Sequence, residues 1–370
     1  MRIGIDARLV YYSQAGIGQY ILNFVRWLAQ IDGANEYVLL QSRKDSTTII
    51  KQHNFRRVPL WTPPHHRLEQ HSLPAEIARL GLDLLHSPDF IPPFRARCRT
   101  VITVHDLAFL LYPHFLTKES ARYYSQIDQA VRRADHIIAD SKSTRQDILR
   151  MLGVPPAKVS VVYLAANPLY RPISLAQSRR WVEEKFDLRG DFILFVSTIE
   201  PRKNLPTLLR AYRQLLDAYK LDVGLALVGG EGWLHDEIPS LVEKLRLKER
   251  VRFLGRVPDD DLLHLYNAAG VLAHPAFYEG FGLPPLEAMA CGTPVIVSRA
   301  SSLPEVVGDA GLLIEPEDVD AWAAALHRVF SDDALRGELS QKALARSSYF
   351  SWERTARQIL DIYQQVLQSP

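Results

Sequence analysis

EGFGLPPLEAMACGTP, at residues 279–294, is the stretch that indicates the fold most directly. An apolar strand pattern, Val271–Ala273, precedes it. Two glycines stand in the turn, and two prolines follow where a helix would begin, a position at which a missing N–H costs nothing. The stretch therefore predicts a strand, a tight turn and a helix over Pro284–Ala290.

This turn also has the chemistry of a binding site. The amides of Phe281, Gly282 and Leu283 would lie at the positive end of the helix dipole, which favours a phosphate group. Glu279 stands before the turn and Glu287 one helical turn into the helix, so both carboxylates can accept hydrogen bonds from sugar hydroxyls. The alternative is an ordinary strand–turn–helix junction with no ligand.

Short apolar runs alternate with helical periodicity along the whole chain, which predicts parallel sheets covered by helices. The strands predicted in the first half are Ile3–Ala7, Tyr37–Gln41, Leu84–His86, Val101–His105, Ile137–Asp140 and Val159–Tyr163. Those predicted in the second half, besides Val271–Ala273, are Phe192–Ser197, Gly224–Val228, Val251–Leu254 and Pro294–Ser298. In such sheets ligands bind beyond the carboxyl ends of the strands.

Two further loops in the second half follow predicted strands. Arg202 and Lys203 are adjacent cations where a helix begins, and they would oppose the helix dipole unless an anion lay between them and the helix amides. Gly229 opens the glycine-rich run Gly229-Gly230-Glu231-Gly232-Trp233, which would let a nucleotide approach the backbone. A tight turn explains the same glycines.

In the first half, Gly16 and Gly18 form a GxG turn before a helix. The third glycine of a dinucleotide fingerprint is missing, and no acidic residue ends the second predicted strand, so the sequence argues against that fingerprint. We expect this loop to face a diphosphate from the first domain. His105 ends a predicted strand, where function concentrates, although a buried core histidine is the alternative.

Two clusters resemble metal sites but are better explained without a metal. Asp259, Asp260 and Asp261 follow Pro258 and open a predicted helix, so they are expected to cap it and fill its first turn. His65, His66 and His71 have no carboxylate at ligand spacing along the sequence. We therefore predict no metal site.

Composition is ordinary for a globular protein, with 47% hydrophobic and 23% charged residues and only two cysteines. No disulfide framework is expected. The opening residues indicate a strand and not an apolar leader, and no apolar run approaches the roughly 20 residues of a membrane span.

Charge is unevenly distributed along the chain. Residues 1–170 hold 21 lysines and arginines against 14 acidic residues, a balance of +7, whereas residues 171–370 have a balance of −5. The basic half is expected to meet an anionic lipid surface or a phosphorylated acceptor, with a merely solvated surface as the alternative; we expect no nucleic acid partner.

With these motifs in hand, the chain resembles the retaining GT-B glycosyltransferases of family 4, also called glycosyl transferases group 1. The resemblance rests on Glu279 and Glu287 as the E-x7-E pair, on Glu200–Asn204, on Ser302–Ala310, and on Ile3–Arg8 near the start. It implies an α/β fold with two Rossmann-like domains facing across a cleft. The implied divisions are 1–170 for the acceptor, 171–350 for the nucleotide-sugar donor, and 351–370 as a helix crossing back to the first domain.

The resemblance also implies residue roles. Lys203 and Arg202 would neutralise the donor diphosphate; many members carry that arginine where this chain has Thr198. Glu287 would bind ribose, and Glu279 would bind the donor sugar with the amides of residues 281–283. His105 would meet the transferred sugar, and backbone groups near Val257 would read the base.

The subgroup with Glu-Pro-Arg-Lys-Asn and a Gly-Trp loop resembles mannosyltransferases that use GDP-mannose in surface polysaccharide synthesis. The implied enzyme needs no cofactor beyond its nucleotide-sugar co-substrate. It would act in the cytoplasm, at the inner face of the membrane, on a glycan or lipid-linked acceptor. Open alternatives are a UDP- or ADP-sugar donor, a phosphorylase or epimerase of the same fold, and a non-catalytic sugar-nucleotide-binding partner.

Overall fold

The computed structural model describes residues 1–12, 16–113, 118–230 and 237–368. Within these ranges the chain divides into two compact units. The first comprises Met1–Leu164 with Ser351–Pro370, and the second comprises Ala165–Phe350. Each unit is built around one parallel sheet, in agreement with the α/β class predicted from the alternating pattern.

The first unit contains a seven-stranded sheet in the order β3-β2-β1-β4-β5-β6-β7. Its strands are β1 Arg2–Asp6, β2 Glu36–Ser42, β3 Phe55–Leu60, β4 Leu84–Ser87, β5 Arg99–Val104, β6 His136–Ala139 and β7 Val159–Val161. Its helices up to the end of that sheet are α1 Leu9–Tyr12, α2 Ile17–Ile31, α3 Glu69–Ile77, α4 Ala108–Leu111, α5 Lys118–Tyr124, α6 Ile127–Arg133 and α7 Lys142–Leu152. The order reverses direction between β1 and β4, which creates a crevice at the carboxyl edge.

The second unit contains a six-stranded sheet in the order β10-β9-β8-β11-β12-β13. Its strands are β8 Phe192–Val196, β9 Gly224–Val228, β10 Val251–Gly255, β11 Val271–His274, β12 Val295–Ser298 and β13 Leu312–Ile314. Its helices are α8 Leu175–Phe186, α9 Leu205–Tyr219, α10 Glu237–Lys244, α11 Asp259–Ala268, α12 Leu283–Ala290, α13 Leu303–Val307, α14 Val319–Ser331 and α15 Asp333–Ser347. The order again reverses between β8 and β11, the two strands whose following loops carry the cations and the carboxylate Glu279.

Strand β8 shows why these sheets form. Phe192, Leu194 and Val196 belong to one buried cluster, whereas Ile193 and Phe195 belong to another. Because successive side chains point to opposite faces, a strand that is apolar at every position needs helices on both sides. Helices α11 and α12 contribute to the first cluster, and α9 and α14 contribute to the second.

The last helix, α16 (Trp352–Gln368), belongs to the first unit and packs against α2. Tyr363 of this helix contacts His86 of β4, with the tyrosine oxygen 2.6 Å from His86 Nδ1. Thr355 Oγ1 donates to the Tyr163 carbonyl at 2.7 Å. The chain thus returns to its first sheet after completing its second. No helix among the described residues is both long enough and apolar enough to cross a bilayer.

Two strands were not predicted. Strand β3 reads FRRVPL, with a proline inside it and mostly exposed or half-buried residues, and it lies at the edge of its sheet, where a proline is tolerated. Strand β13 is only three residues long. The segment with helical periodicity between β5 and β6 forms two helices, α5 and α6, after the short helix α4.

Candidate active site

Three of the predicted site residues meet in the second unit. The ammonium of Lys203 forms a buried ion pair with Glu279 Oε1, and Arg202 Nη1 lies 3.7 Å from Glu279 Oε2. Arg202 also pairs with Glu200, Nη2 to Oε1, at 2.7 Å. The two cations are therefore balanced by two carboxylates of the chain itself. The sequence argument that they need a bound anion is weakened by this pairing, and their role toward a diphosphate stays a prediction.

The loop positions of these residues are fixed by backbone bonds. Pro201–Lys203 forms a single 3-10 turn, and α9 begins at Leu205, immediately after Asn204, which has a left-handed φ of 54°. The Asn204 amide donates to the Pro275 and Pro316 carbonyls at 3.1 and 2.7 Å. The Phe277 N–H donates to the Arg202 carbonyl at 2.8 Å. The turn that carries the cations is thereby tied to the loop between β11 and α12.

His274, the last residue of β11, is a third partner of Glu279 that sequence reasoning missed. Its Nε2 lies 2.6 Å from Glu279 Oε1, and its side chain is fully buried. Its other ring nitrogen, Nδ1, is buried without a hydrogen-bond partner. A ring with only one acceptor needs only one N–H, so His274 is a neutral imidazole that donates from Nε2.

The electrostatics of the cluster follow from burial and these contacts. Burial by itself would raise the pKa of Glu279, but the charge of Lys203 and the hydrogen bond from His274 outweigh it and hold that pKa far below its usual range. Burial lowers the pKa of His274, and the neighbouring cations Lys203 and Arg202 lower it further against the opposing effect of Glu279. The cluster consequently holds an ionised carboxylate beside a neutral histidine.

A tight turn joins Glu279 to α12, as predicted, and the binding of a phosphate there stays a prediction. Gly282 is the residue before the helix, with φ 103°, and a Cβ there would lie 2.8 Å from Leu303 Cδ2, so only glycine fits. Because Gly282 is a glycine, the residue before α12 has no side chain with which to cap the first turn. The hydroxyl of Ser302, fully buried, lies 3.0 Å from the Glu279 carbonyl and 2.8 Å from the Phe281 carbonyl. This serine fixes the turn that carries Phe281, Gly282 and Leu283.

Glu287 lies one turn into α12, apart from the cation pair. Tyr266 donates its hydroxyl to Glu287 Oε2 at 2.8 Å. The pKa of Glu287 is raised to about 7, mainly because its carboxyl group is removed from water, with the charge of Asp259 adding to the effect. Further hydrogen-bond donors, such as the hydroxyls of a ribose, would stabilise the charged form of this buried carboxylate.

Gly229 is the first residue after β9, and its packing explains why it is a glycine. It has φ 141°, and a Cβ would lie 1.9 Å from the Ser197 carbonyl oxygen, so the loops after β8 and β9 touch at this glycine. Val257 follows β10 and precedes α11. The predicted contacts of Gly229 and Val257 with a nucleotide stay predictions. Residues 231–236, which include Glu231, Gly232 and Trp233, lie outside the described residues.

His105 follows β5 in the first unit and uses both of its ring nitrogens. Nδ1 lies 2.6 Å from Asp140 Oδ2, and Nε2 lies 2.8 Å from the Pro88 carbonyl oxygen. Since both neighbours are acceptors, both nitrogens carry a proton and the ring is an imidazolium. Although burial opposes it, the charge and hydrogen bond of Asp140 raise the pKa of His105 to about 9. Contact between His105 and a transferred sugar stays a prediction.

Gly16 precedes α2 with φ 52°, and Gly18 lies within the first turn of that helix. The loop does not follow β1 directly, because the short helix α1 intervenes. Residues 13–15, just before Gly16, lie outside the described residues. The prediction that the loop of Gly16 and Gly18 faces a diphosphate stays a prediction.

The two metal-like clusters have other partners. Asp261 lies in the first turn of α11, where it accepts from Lys185 at 2.7 Å and from Trp181 Nε1 at 2.9 Å. Pro258, not an aspartate, precedes that helix. His65 does have a carboxylate neighbour, Asp89, with Nε2 to Oδ2 at 2.5 Å, which its sequence spacing did not show. Over the described ranges, no three His, Cys, Asp or Glu side chains come together as metal ligands would.

Two family patterns match the sequence. The pattern of glycosyl transferases group 1 matches residues 180–346, and that of glycosyltransferase family 4 matches residues 15–168. The chain is 34% identical to an O-antigen chain mannosyltransferase B of Escherichia coli, over 98% of this chain and 99% of that protein. It is 33% identical to a serotype-specific mannosyltransferase WbdA of Escherichia coli, over 75% of this chain but only 35% of that longer protein.

Among solved structures, HepE of Anabaena in complex with UDP-glucose superposes with a TM-score of 0.77 at 20% identity, covering 99% of this chain and 100% of that one. At that identity the likeness shows the fold alone. The predicted GT-B fold class, with two Rossmann-like domains, is confirmed.

Proposed function

This chain belongs to the glycosyl transferases group 1 family, and we propose that it transfers mannose from GDP-mannose to a glycan or lipid-linked acceptor in surface polysaccharide synthesis, with retention at the anomeric carbon. That it is a glycosyltransferase follows from the family. The choice of mannose is supported by the similarity to the O-antigen chain mannosyltransferase over almost the whole chain. A UDP-sugar donor is the alternative, supported by the ligand of the HepE structure.

The observation that carries the proposal is the cluster around Glu279. Its Oε1 accepts from Lys203 and His274, and its Oε2 lies 3.7 Å from Arg202. In our proposal Oε2 accepts a hydroxyl of the donor sugar, and the cations face the diphosphate. Negative charge grows on the departing phosphate as the glycosidic bond breaks, so fixed cations and helix amides at that point lower the barrier.

Retention follows, in our proposal, from reaction on one face of the sugar. Glu279 is held as an ionised carboxylate by two donors on Oε1 and by the nearby charge of Arg202, an arrangement suited to binding. We therefore do not assign it the nucleophile role of a double displacement. The leaving phosphate oxygen would take the proton of the acceptor hydroxyl. Product analysis by NMR tests this: an anomeric configuration opposite to the donor would refute retention.

Calorimetry on two variants tests the residue roles. At pH 8, above the pKa of Glu287, GDP should bind Glu279→Ala nearly as well as wild type, because GDP lacks the sugar that Glu279 holds. Glu287→Ala should lose GDP affinity by roughly 1.5–3 kcal/mol, the value of hydrogen bonds to a charged group. Asp217→Ala, which removes an exposed carboxylate of α9, is the matched control. Equal loss in both variants, or loss in neither, would contradict the assignment; tighter binding of UDP than GDP would favour the alternative donor.

We further propose that no metal is required, because Arg202, Lys203 and the start of α12 supply the positive charge that a metal would otherwise provide. Transfer should continue in EDTA. Complete loss of turnover that manganese or magnesium restores would overturn this part.

Finally, we propose that the protein acts at the cytoplasmic face of the membrane and associates with anionic lipid through its first unit. Arg95 and Arg97 are exposed just before β5, and basic residues near an anionic surface contribute about 1 kcal/mol each. Flotation with anionic vesicles at low salt should recover the protein. Equal recovery with neutral vesicles would argue against an electrostatic association.

A further inference from the structure

The first unit contains a cavity that the proposed site does not use. It has a volume of about 660 Å³ and is lined by the loop and first turn at residues 65–70 and by residues 122–126. This size is typical of small-molecule sites. The cavity adjoins the carboxyl edge of the sheet, because its lining residue Glu69 contacts Arg8, just after β1, and its lining residue His65 contacts Asp89, just after β4.

Hydrogen bonds and a ring contact link the side chains in the wall of this cavity. Glu69 is buried, with Oε1 2.5 Å from Arg8 Nη2 and Oε2 accepting the His65 N–H at 2.9 Å. The His65 ring lies against the Tyr123 ring, with centroids 4.2 Å apart. Both side chains bind the same acceptor, because the Tyr123 hydroxyl donates to Asp89 Oδ2 at 3.2 Å.

The charge of the lining is positive once its internal pairs are counted. Glu69 shares Arg8 with Asp6, and Asp89 faces His65, whose pKa is raised because the hydrogen bond and charge of Asp89 outweigh the effect of burial. Arg67 and Arg122 line the cavity from opposite segments. Neither guanidinium has an ion pair or hydrogen bond with any residue that the structure describes. Two unpaired guanidiniums facing one cavity form a forked donor set that matches the oxygens of a phosphate.

We propose that this cavity binds a phosphate or diphosphate group of the acceptor, held between Arg67 and Arg122. The name "acceptor" rests on the proposed function, whereas the binding of phosphate does not. The cavity lies close to His105 within the same unit, since Asp89 directly follows Pro88, whose carbonyl binds His105. A phosphate held there would anchor a substrate at the edge of the sheet where ligands of this fold bind.

Calorimetry with inorganic pyrophosphate tests the site, with GDP at saturation so that the donor site of the second unit is filled. The double variant Arg67→Ala/Arg122→Ala should weaken pyrophosphate binding at least tenfold. The control Arg26→Ala/Arg79→Ala removes the same charge from exposed arginines of the first unit outside the cavity and should leave it unchanged. Equal affinity in wild type and the Arg67/Arg122 variant, or equal loss in both doubles, would overturn the proposal.

A second pair of ligands identifies the source of the phosphate. Farnesyl diphosphate in neutral detergent represents a lipid-linked acceptor, and glucose 6-phosphate represents a soluble sugar phosphate. If one of these ligands binds the wild type and the Arg26/Arg79 control but not the Arg67/Arg122 variant, the site is supported and that ligand shows which class it takes. GDP affinity, measured on the same proteins, should not change. If the protein binds pyrophosphate as described but transfers no sugar, the proposed function fails and the site stands.

Discussion

The two units each place a histidine against a buried carboxylate at the carboxyl edge of a parallel sheet, yet the two histidines differ in charge. His105 lies 2.6 Å from Asp140, and His274 lies 2.6 Å from Glu279. His105 has a second acceptor, the Pro88 carbonyl, and none of the described residues forms a cationic ion pair with Asp140 in competition with it, so the ring is charged. His274 has no second acceptor within the described ranges and shares Glu279 with Lys203, so the ring is neutral. The surroundings of each pair, and not the pair itself, decide the protonation state.

The largest effect is expected from removing the competing cation. Lys203→Met should lower kcat by about 10²–10³-fold, the usual cost of losing one preorganised charge stabiliser. The same change should raise the pKa of His274, because Lys203 is one of the groups that lower it. Steady-state kinetics and histidine NMR on the variant measure the two effects.

Lys342→Met is the matched control, since Lys342 pairs with Glu338 on the exposed face of α15. It should change neither quantity. A loss of activity in Lys203→Met without any change at His274 would mean that the shared carboxylate does not couple them, and the comparison would fail.

The second-largest effect is expected at the charged pair of His105 and Asp140. Asp140→Asn removes the charge that holds the His105 proton, so the pKa of His105 should fall from about 9 to its ordinary value or below. A raised histidine pKa stabilises the folded state fully below the unfolded value of about 6.5, and this stabilisation is lost as the pH rises through 9. The variant should therefore be less stable by about 3 kcal/mol at pH 6, and the difference should shrink by pH 9.5.

Melting temperatures at the two pH values, with an NMR titration of His105, measure this. Asp135→Asn is the control, because Asp135 pairs with Arg99 and has no histidine partner. Its effect on stability should not depend on pH in this range. A wild-type His105 that titrates near 6.5 would show that Asp140 does not hold a proton there.

The fold was largely predictable because its strands are apolar at almost every position. β8 and β9 are examples, and their bounds agree with the pattern within one residue. Strand β3 was missed because an edge strand need not be apolar: only its end residues, Phe55 and Leu60, are buried, and two arginines and a proline lie between them.

The site was predictable where its residues lie in short, recognisable sequence motifs. Arg202, Lys203 and Glu279 are examples, and the structure brings them together. His274 was missed because its role depends on Glu279, which lies five residues later across a turn. Without that contact, a histidine at the end of an apolar strand looks like an ordinary buried core residue. Asp140 was noted only as the end of a strand, since its partner His105 is 35 residues away. Long-range partners of this kind are set by sheet order, which the sequence pattern does not contain.

The smallest effect is expected from changing His274, the neutral histidine of the comparison. His274 supplies one hydrogen bond to an ionised carboxylate, worth about 1.5–3 kcal/mol. His274→Phe should lower kcat by roughly tenfold or more by that measure, with little change in GDP affinity, because it loosens Glu279 and not the nucleotide contacts. His274→Gln keeps an N–H donor and should restore most of the activity. Because a neutral histidine adds no ionisation between pH 6 and 8, the pH profile of kcat/KM should have the same shape in wild type and His274→Gln. Loss of an ionisation from that profile would show that His274 is charged like His105, and the contrast between the two units would be wrong.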